Sequence, residues 1–211
     1  VTAPALRLLG KATSINVRKV LWTCAELALP FAHEEWGSDF QDTGTPAFRA
    51  LNPNAMVPVL IDGDFIVWES NAICRYLAAQ YGDGELLPAA PRRRAMVEQW
   101  MDWQATELNN AWRYAFMALV RASPAHADPA LIAASVANWN RHVAILAAQL
   151  EKTGAYAAGA SFTLADVVLG LSLNRWLMTP MQRPHLPAID AYVERLTRRP
   201  GCMRYGRNGT P

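Results

Sequence analysis

Hydrophobic positions follow one rhythm in the first part of this chain and another in the rest. In the first part, short apolar runs alternate with helical patterns. Leu6 to Leu9 reads as a short buried strand. Val17, Val20, Leu21, Cys24, Ala25 and Ala28 then recur at threes and fours, which predicts a helix beginning near Val17 and stopped by Pro30. Phe31 to Trp36 reads as a second strand, residues 37–46 as a loop, and Ala47 to Leu51 as a helical turn before Asn52-Pro53. Val57 to Ile61 and Phe65 to Trp68 flank Asp62-Gly63-Asp64, the pattern of a hairpin. Ser70 reads as the cap of a helix that carries Ile73, Tyr76, Leu77 and Tyr81. The order β-α-β-(α)-β-β-α, with a hairpin after a βαβ unit, predicts a mixed four-stranded sheet rather than a doubly wound one.

Residues 82–91, with Gly82, Gly84, Pro88 and Pro91, read as linking chain. Beyond them the pattern is helical throughout. No Gly or Pro occurs from 92 to 123, so one long helix is expected there. It has one apolar stripe of Met96, Trp100 and Trp103 and another of Val97, Met101, Leu108 and Trp112, so it needs two partners. Residues 130–151 carry Ile132, Val136, Trp139, Val143, Leu146 and Leu150 at fours and threes, which suits packing against the preceding helix. Phe162-Thr163-Leu164-Ala165-Asp166-Val167 is a capping box with a hydrophobic staple. Leu164 to Leu173 is apolar nearly all round, so that helix belongs at a centre. Asp166 is read as structural, since capping accounts for both the residue and its spacing. A last helix is expected from Pro187 to about Arg198. The expected organisation is an α+β N-terminal domain over 1–84, a linker over 85–91 and an all-α domain over 92–211.

Composition narrows the function. The 211 residues are 52% hydrophobic with a net charge of +2, enough core to fold unaided. Arg92-Arg93-Arg94 is the one run of three like charges and reads as a solvated helix end, and no basic stripe interleaves with aromatics, so no nucleic-acid partner is expected. Cys24, Cys74 and Cys202 are odd in number and widely spaced, which fits reduced thiols in a cytoplasm. No signal peptide or apolar membrane span is evident, and the Asn208-Gly209-Thr210 sequon is taken as chance. His33, His126, His142 and His185 are scattered without metal-ligand spacing, so no metal is expected.

Three short pieces of the first domain carry candidate chemistry. "LLGKATSINVRKVLW" places Thr13, Ser14 and Asn16 where a strand gives way to a helix. "LNPNAMVPVL" places Met56 and Val57-Pro58 at a strand start, where proline's missing N–H is tolerated. "WESNAICRYL" places Glu69-Ser70 at a helix start, which offers N–H groups and a hydroxyl to a carboxylate. Each piece alone reads as a cap or a turn. Together, and with "SFTLADVVLG" in the helical half, they resemble the cytosolic glutathione transferases over essentially the whole chain. The resemblance is to the serine-type, phi- and theta-like members, and Ser14-Ile15-Asn16 matches the Ser-x-Asn of the plant phi class.

That resemblance implies a thioredoxin-like domain that binds glutathione, and a helical domain that supplies most of the site for a small hydrophobic electrophile. It implies a homodimer, and glutathione as co-substrate with no further cofactor. By position, Ser14 matches the catalytic serine, with Asn16 and Thr13 as alternative donors. Val57 matches the residue whose backbone pairs with the cysteinyl part of glutathione. Pro58 matches a cis-proline, and Met56 a position often held by Gln or Lys. Glu69 and Ser70 match the pair that holds the γ-glutamyl end. Two departures accompany these matches. Thr43-Gly44 stands where phi members carry a His-Lys pair for the glycine carboxylate, and Asn71 stands where some classes carry Arg. Trp103, Trp112 and Tyr114 are candidates for the electrophile site, and Asp102 for a reach across the dimer to the γ-glutamyl amine.

The chemistry asked of Ser14 is modest. A free thiol has a pKa of about 8.5, so little of it is ionised at neutral pH. A hydroxyl donating to the thiolate is worth roughly 1.5–3 kcal/mol, about one to two pKa units. The helix dipole adds up to ~1 kcal/mol. No cysteine lies between 11 and 16, so mixed-disulfide exchange is not expected, and Cys24 reads as inert core. The expected reaction is conjugation of the glutathione thiolate to electrophiles. The alternatives are a non-catalytic glutathione-, ligand- or protein-binding module on the same fold, or a glutathione-dependent peroxidase, dehalogenase or isomerase.

Overall fold

The computed structural model describes residues 6–211. Four strands, β1 (Leu6–Leu9), β2 (Ala32–Glu34), β3 (Val59–Asp62) and β4 (Phe65–Trp68), form one mixed sheet in the order β2-β1-β3-β4. β1 runs parallel to β2 with Leu8 opposite His33, and antiparallel to β3 with Leu8 opposite Leu60. β3 and β4 are antiparallel through a two-residue turn, Gly63-Asp64, in which Gly63 takes a φ of 61°. Glycine accepts that backbone without a Cβ clash.

Side chains alternate across a strand, and each face of the sheet meets its own partner. Leu6, Leu8 and Leu60 pack on α1 (Ile15–Glu26) and α3 (Ser70–Tyr81). Leu9 and Val59 point the other way and close on Phe48 of α2 (Pro46–Leu51), with Trp36 beside it. Thr45 caps α2, its hydroxyl accepting from the Phe48 N–H. Val57-Pro58 is cis and immediately precedes β3.

The helical part begins at Pro91. α4 (Pro91–Trp103) passes into a π-helical turn (Gln104–Leu108) and continues as α5 (Asn109–Leu119). The single long helix expected from composition is therefore continuous in path but wider at 104–108, and it ends before 123. α6 (Pro129–Thr153) packs along α5 and buries Trp139, Val143, Leu146 and Leu150 of the expected face. α7 (Leu164–Met178) is buried from Leu164 to Trp176. Its capping box forms as expected: the Asp166 carboxylate accepts from the Thr163 N–H at 2.8 Å. The same carboxylate accepts from the Ala157 N–H at 3.0 Å and the Tyr192 hydroxyl at 2.7 Å, so the acid is fully committed to structure. α8 (Pro187–Thr197) is followed by a second π-helical turn (Cys202–Gly206) that the apolar pattern does not announce.

The two halves are joined mainly through α1, which contacts α3 on one side and α7 with the Cys202–Gly206 turn on the other. Trp22 of α1 is fully buried between Gly170, Gly201 and Gly206; a Cβ on Gly201 would lie 2.5 Å from Trp22 Cδ1. No helix among the described residues is long and apolar enough to cross a membrane.

Candidate active site

β1 ends at Gly10, and the chain turns through residues 11–14 into α1, with the Ser14 N–H donating to the Lys11 carbonyl at 3.0 Å. The helix begins at Ile15, two residues before the apolar pattern starts. Ser14 is its N-cap in extended conformation, and its hydroxyl makes no capping bond. That leaves the hydroxyl and the first N–H groups of α1 free to meet an anion at the helix mouth.

The second piece stands beside it. Asn52 shapes the turn ahead of Pro58: its Nδ2 donates to the Met56 carbonyl at 2.8 Å, and its Oδ1 accepts from the Asn54 N–H at 3.0 Å and from Asn54 Nδ2 at 3.2 Å. The third piece differs from its sequence reading. Ser70 is not the cap of α3. Glu69 holds that position with a φ of 73°, the left-handed region that non-glycine residues seldom adopt, and Ser70 is already helical. The Ser70 hydroxyl instead donates across to Asn16 Oδ1 at 3.3 Å, tying the start of α3 to the start of α1.

These pieces enclose a cavity of about 280 Å³ lined by Asn16, Asn52, Asn54, Met56, Val57, Pro58, Glu69 and Ser70. Of the residues singled out from sequence, it brings together Asn16, Met56, Val57, Pro58, Glu69 and Ser70. Ser14 and Thr13 precede Asn16 at the helix mouth and are not among the lining groups; Thr13 is exposed and Ser14 half-buried. Asn52 and Asn54 line the cavity and were read from sequence only as part of a proline turn. The available signal was two amides flanking a proline just ahead of the cis bond.

The aromatics expected at the electrophile site belong to the helical part of the chain. Trp103 packs edge-on to Trp100 and against His142, with ring centroids 5.1 and 5.8 Å away. Trp112 packs on Trp139 and under Arg175, while its indole N–H donates to Asn109 Oδ1 at 3.0 Å. Tyr114 packs edge-on to His126, and its hydroxyl accepts from the Asp128 N–H at 3.3 Å. None of the three lines the 280 Å³ cavity. Asp102 is exposed and paired with Arg75.

Below the cavity floor the α1–α3 interface is polar. Lys19 lies one turn beyond Asn16 and donates to Asn71 Oδ1 at 3.2 Å and Gln104 Oε1 at 2.9 Å. One turn further, Thr23 donates to Cys74 Sγ at 3.3 Å. Burial pushes the Cys74 thiol up to about 11 and, with Cys74 beside it, the Cys24 thiol up to about 12, so both stay protonated and unreactive at neutral pH. Among the described residues no group of three or more His, Cys, Asp or Glu side chains is placed to hold a metal ion.

Comparison with known proteins bears on what such a cavity receives. Residues 13–80 match the profile of the glutathione S-transferase N-terminal domain, and residues 109–200 that of the glutathione S-transferase C-terminal domain. The chain is 39% identical over 201 residues to glutathione S-transferase GstB of Escherichia coli, covering 94% of this chain and 96% of that one. It is 33% identical over 209 residues to glutathione S-transferase 3 of Zea mays, covering 94% and 92%. A theta class glutathione S-transferase from Xanthomonas axonopodis pv. citri, solved with glutathione bound, superposes with a TM-score of 0.91 at 39% identity, covering 99% of this chain and all of that one.

Proposed function

The chain belongs to the glutathione S-transferase family, whose enzymes join the sulfur of glutathione to electrophilic small molecules, and from that premise we propose how this chain does so. The observation that carries the reading is the cavity, where residues from three separate stretches meet at two helix starts.

Glutathione enters as co-substrate, with no further cofactor. Its γ-glutamyl carboxylate meets the N–H groups at the start of α3, that of Ser70 among them, and Glu69 faces the amine of that end. The cysteinyl backbone pairs with the Val57 main chain beside Pro58. The sulfur lies at the mouth of α1, where Ser14 donates its hydroxyl to the thiolate and Asn16 offers its amide as a second donor. With Asn16 Oδ1 held by Ser70, the Asn16 NH₂ is the free end of that side chain. The glycine end reaches the Asn52–Asn54 turn, whose amides replace a lysine or histidine. The thiol proton leaves to solvent, the sulfur lone pair forms the C–S bond, and a halide leaves or a double bond takes up the electron pair. Positioning and thiolate stabilisation are the protein's contribution.

β4 is an edge strand, yet Phe65, Ile66 and Trp68 are exposed by 47%, 41% and 37%. A second copy of the chain covers such an apolar edge in a homodimer. Three free, buried thiols suit a reducing cytoplasm.

The test compares Ser14→Ala with Asn16→Ala, reading the ultraviolet absorbance of bound thiolate near neutral pH and turnover of an aryl halide and an organic hydroperoxide. Ser14→Ala is expected to lose the thiolate signal and about tenfold or more of kcat, the scale of one charge-assisted hydrogen bond. Full retention of the signal in Ser14→Ala with loss in Asn16→Ala transfers the donor role to the amide. Turnover of hydroperoxide alone overturns conjugation as the reaction.

A further inference from the structure

Lys19 is the one lysine buried in the α1–α3 interface, and the reading above does not use it. It is 2% exposed, and its ammonium makes no salt bridge among the described residues. Both of its partners are neutral amide oxygens, Asn71 Oδ1 and Gln104 Oε1. Burying a cation without a counter-ion costs stability, a cost that points to a use for the charge nearby.

Its position indicates what profits. Asn16, Lys19 and Thr23 form a ladder down one face of α1, and its rungs meet Ser70, Asn71 and Cys74 of α3. The upper rung lines the cavity, and Lys19 is the next one down. Asn71, which follows Ser70 in the first turn of α3, is held from both sides: its Oδ1 accepts from Lys19, and its Nδ2 donates to the Met101 carbonyl of α4 at 3.0 Å. Gln104 is anchored in turn, its Nε2 donating to Ser172 Oγ at 2.9 Å and Asn109 Oδ1 at 3.0 Å. Lys19 therefore joins α1, α3 and the π-helical turn directly under the start of α3.

We propose that Lys19 is a positioning residue for glutathione: its buried ammonium holds the starts of α1 and α3 in register and makes the start of α3 electropositive for the γ-glutamyl carboxylate. This rests on the assignment of the cavity to glutathione. The chain carries Asn rather than a cation at 71, so the positive charge at this helix start comes from α1 instead.

The charged and titratable groups around Lys19 are Glu69, Cys74 and Arg75 from α3 and its cap, and Arg175 from α7; on α4, Asp102 is exposed and held by Arg75. Burial outweighs them and lowers the ammonium to about 8. Lys19 is thus charged at neutral pH and loses its charge just above it.

The experiment measures binding of S-methylglutathione, which has no thiol to titrate, from pH 6.5 to 9.5 in the full chain, alongside the KM for glutathione and for an aryl halide. Lys19→Met is expected to weaken S-methylglutathione binding at pH 7 by about tenfold and to raise the glutathione KM alike, while the aryl halide KM stays within about twofold. Wild-type affinity is expected to fall with a midpoint near 8, a step that Lys19→Met lacks; the ligand's own amine titrates equally in both. Gln104→Glu keeps the lysine and the shape but neutralises its field, and should also weaken binding and remove the step. A Lys19→Met protein with unchanged affinity and a superimposable pH profile overturns the proposal. If that variant does not fold, wild-type affinity and pH profile retained in Gln104→Glu overturn it. A wild-type protein that does not bind S-methylglutathione at any pH fails the glutathione reading itself, before any variant is compared.

Discussion

Two faces of α1 serve opposite ends. On one, Arg18, Trp22 and Glu26 follow at successive fours and lock the helix to the C-terminal half. Trp22 fills a space left by Gly170, Gly201 and Gly206, and its N–H donates to Glu26 Oε1 at 2.7 Å. Glu26 Oε2 accepts from Arg199 Nη2 at 2.6 Å, and Arg18 donates to the carbonyls of Tyr205, Gly206 and Thr210 at 2.7 to 2.8 Å. On the other face, Asn16, Lys19 and Thr23 make bonds of 3.2 to 3.3 Å to α3. The first face is held by shape and by charged, short bonds. The second sets its one cation against neutral amides, is held to α3 by longer bonds, and ends in the cavity. A helix anchored on one side can carry a weaker polar contact on the other, and that contact is where a ligand can act.

The comparison breaks most visibly at Trp22. Trp22→Ala empties the glycine-lined space and is expected to cost about 4 kcal/mol in urea unfolding, while the protein that remains folded binds glutathione nearly as before. A selective loss of glutathione affinity without loss of stability would mean that the two faces are not separate.

Lys19 gives the next effect. In the unfolded chain its ammonium keeps its proton to the ordinary 10.5, and in the folded chain only to about 8. Between those values unfolding takes up a proton, so the stability of wild type relative to Lys19→Met should rise with pH, by up to about 1.4 kcal/mol per pH unit. Below 8 and above 10.5 the difference should be flat. The raised thiols of Cys24 and Cys74 act in the opposite direction at higher pH but are common to both proteins. Chemical denaturation of both proteins across pH 7 to 11 reads the slope.

Gly201→Ala tests the lock from its other side. The new Cβ meets the Trp22 ring and Glu26 Oε1, so about 2 kcal/mol should be lost. In a Trp22→Ala background most of that loss should vanish, as a double-mutant cycle would show. The smallest effect belongs to the polar ladder: Thr23→Val removes the bonds to Cys74 Sγ and the Lys19 carbonyl at nearly constant volume, for about 1 kcal/mol in thermal unfolding. A loss as large as that of Trp22→Ala would place the lock on the wrong face.

What could be read from sequence was local. The strand and helix runs, the hairpin, the Thr163–Asp166 capping box and the apolar run of α7 from Leu164 to Leu173 all depend on residues within a few positions of each other. The cavity was legible in part for the same reason. Asn16, Val57-Pro58 and Glu69-Ser70 belong to three short motifs, and only their resemblance to a family joined them. The rest was not legible. Nothing near Ser70 says that its hydroxyl crosses to Asn16 rather than capping its own helix. Nothing near Trp103 or Trp112 says that they pack on Trp100 and Trp139.

The chain by itself determined its periodicities, its caps and turns, and the kinds of chemistry present at each helix start, because those follow from the backbone geometry of neighbouring residues. Which glycines receive Trp22, and which amides receive Lys19, only the folded molecule decided. Those contacts join residues 52 to 184 positions apart, and a close fit between distant surfaces exists only once the whole core has formed.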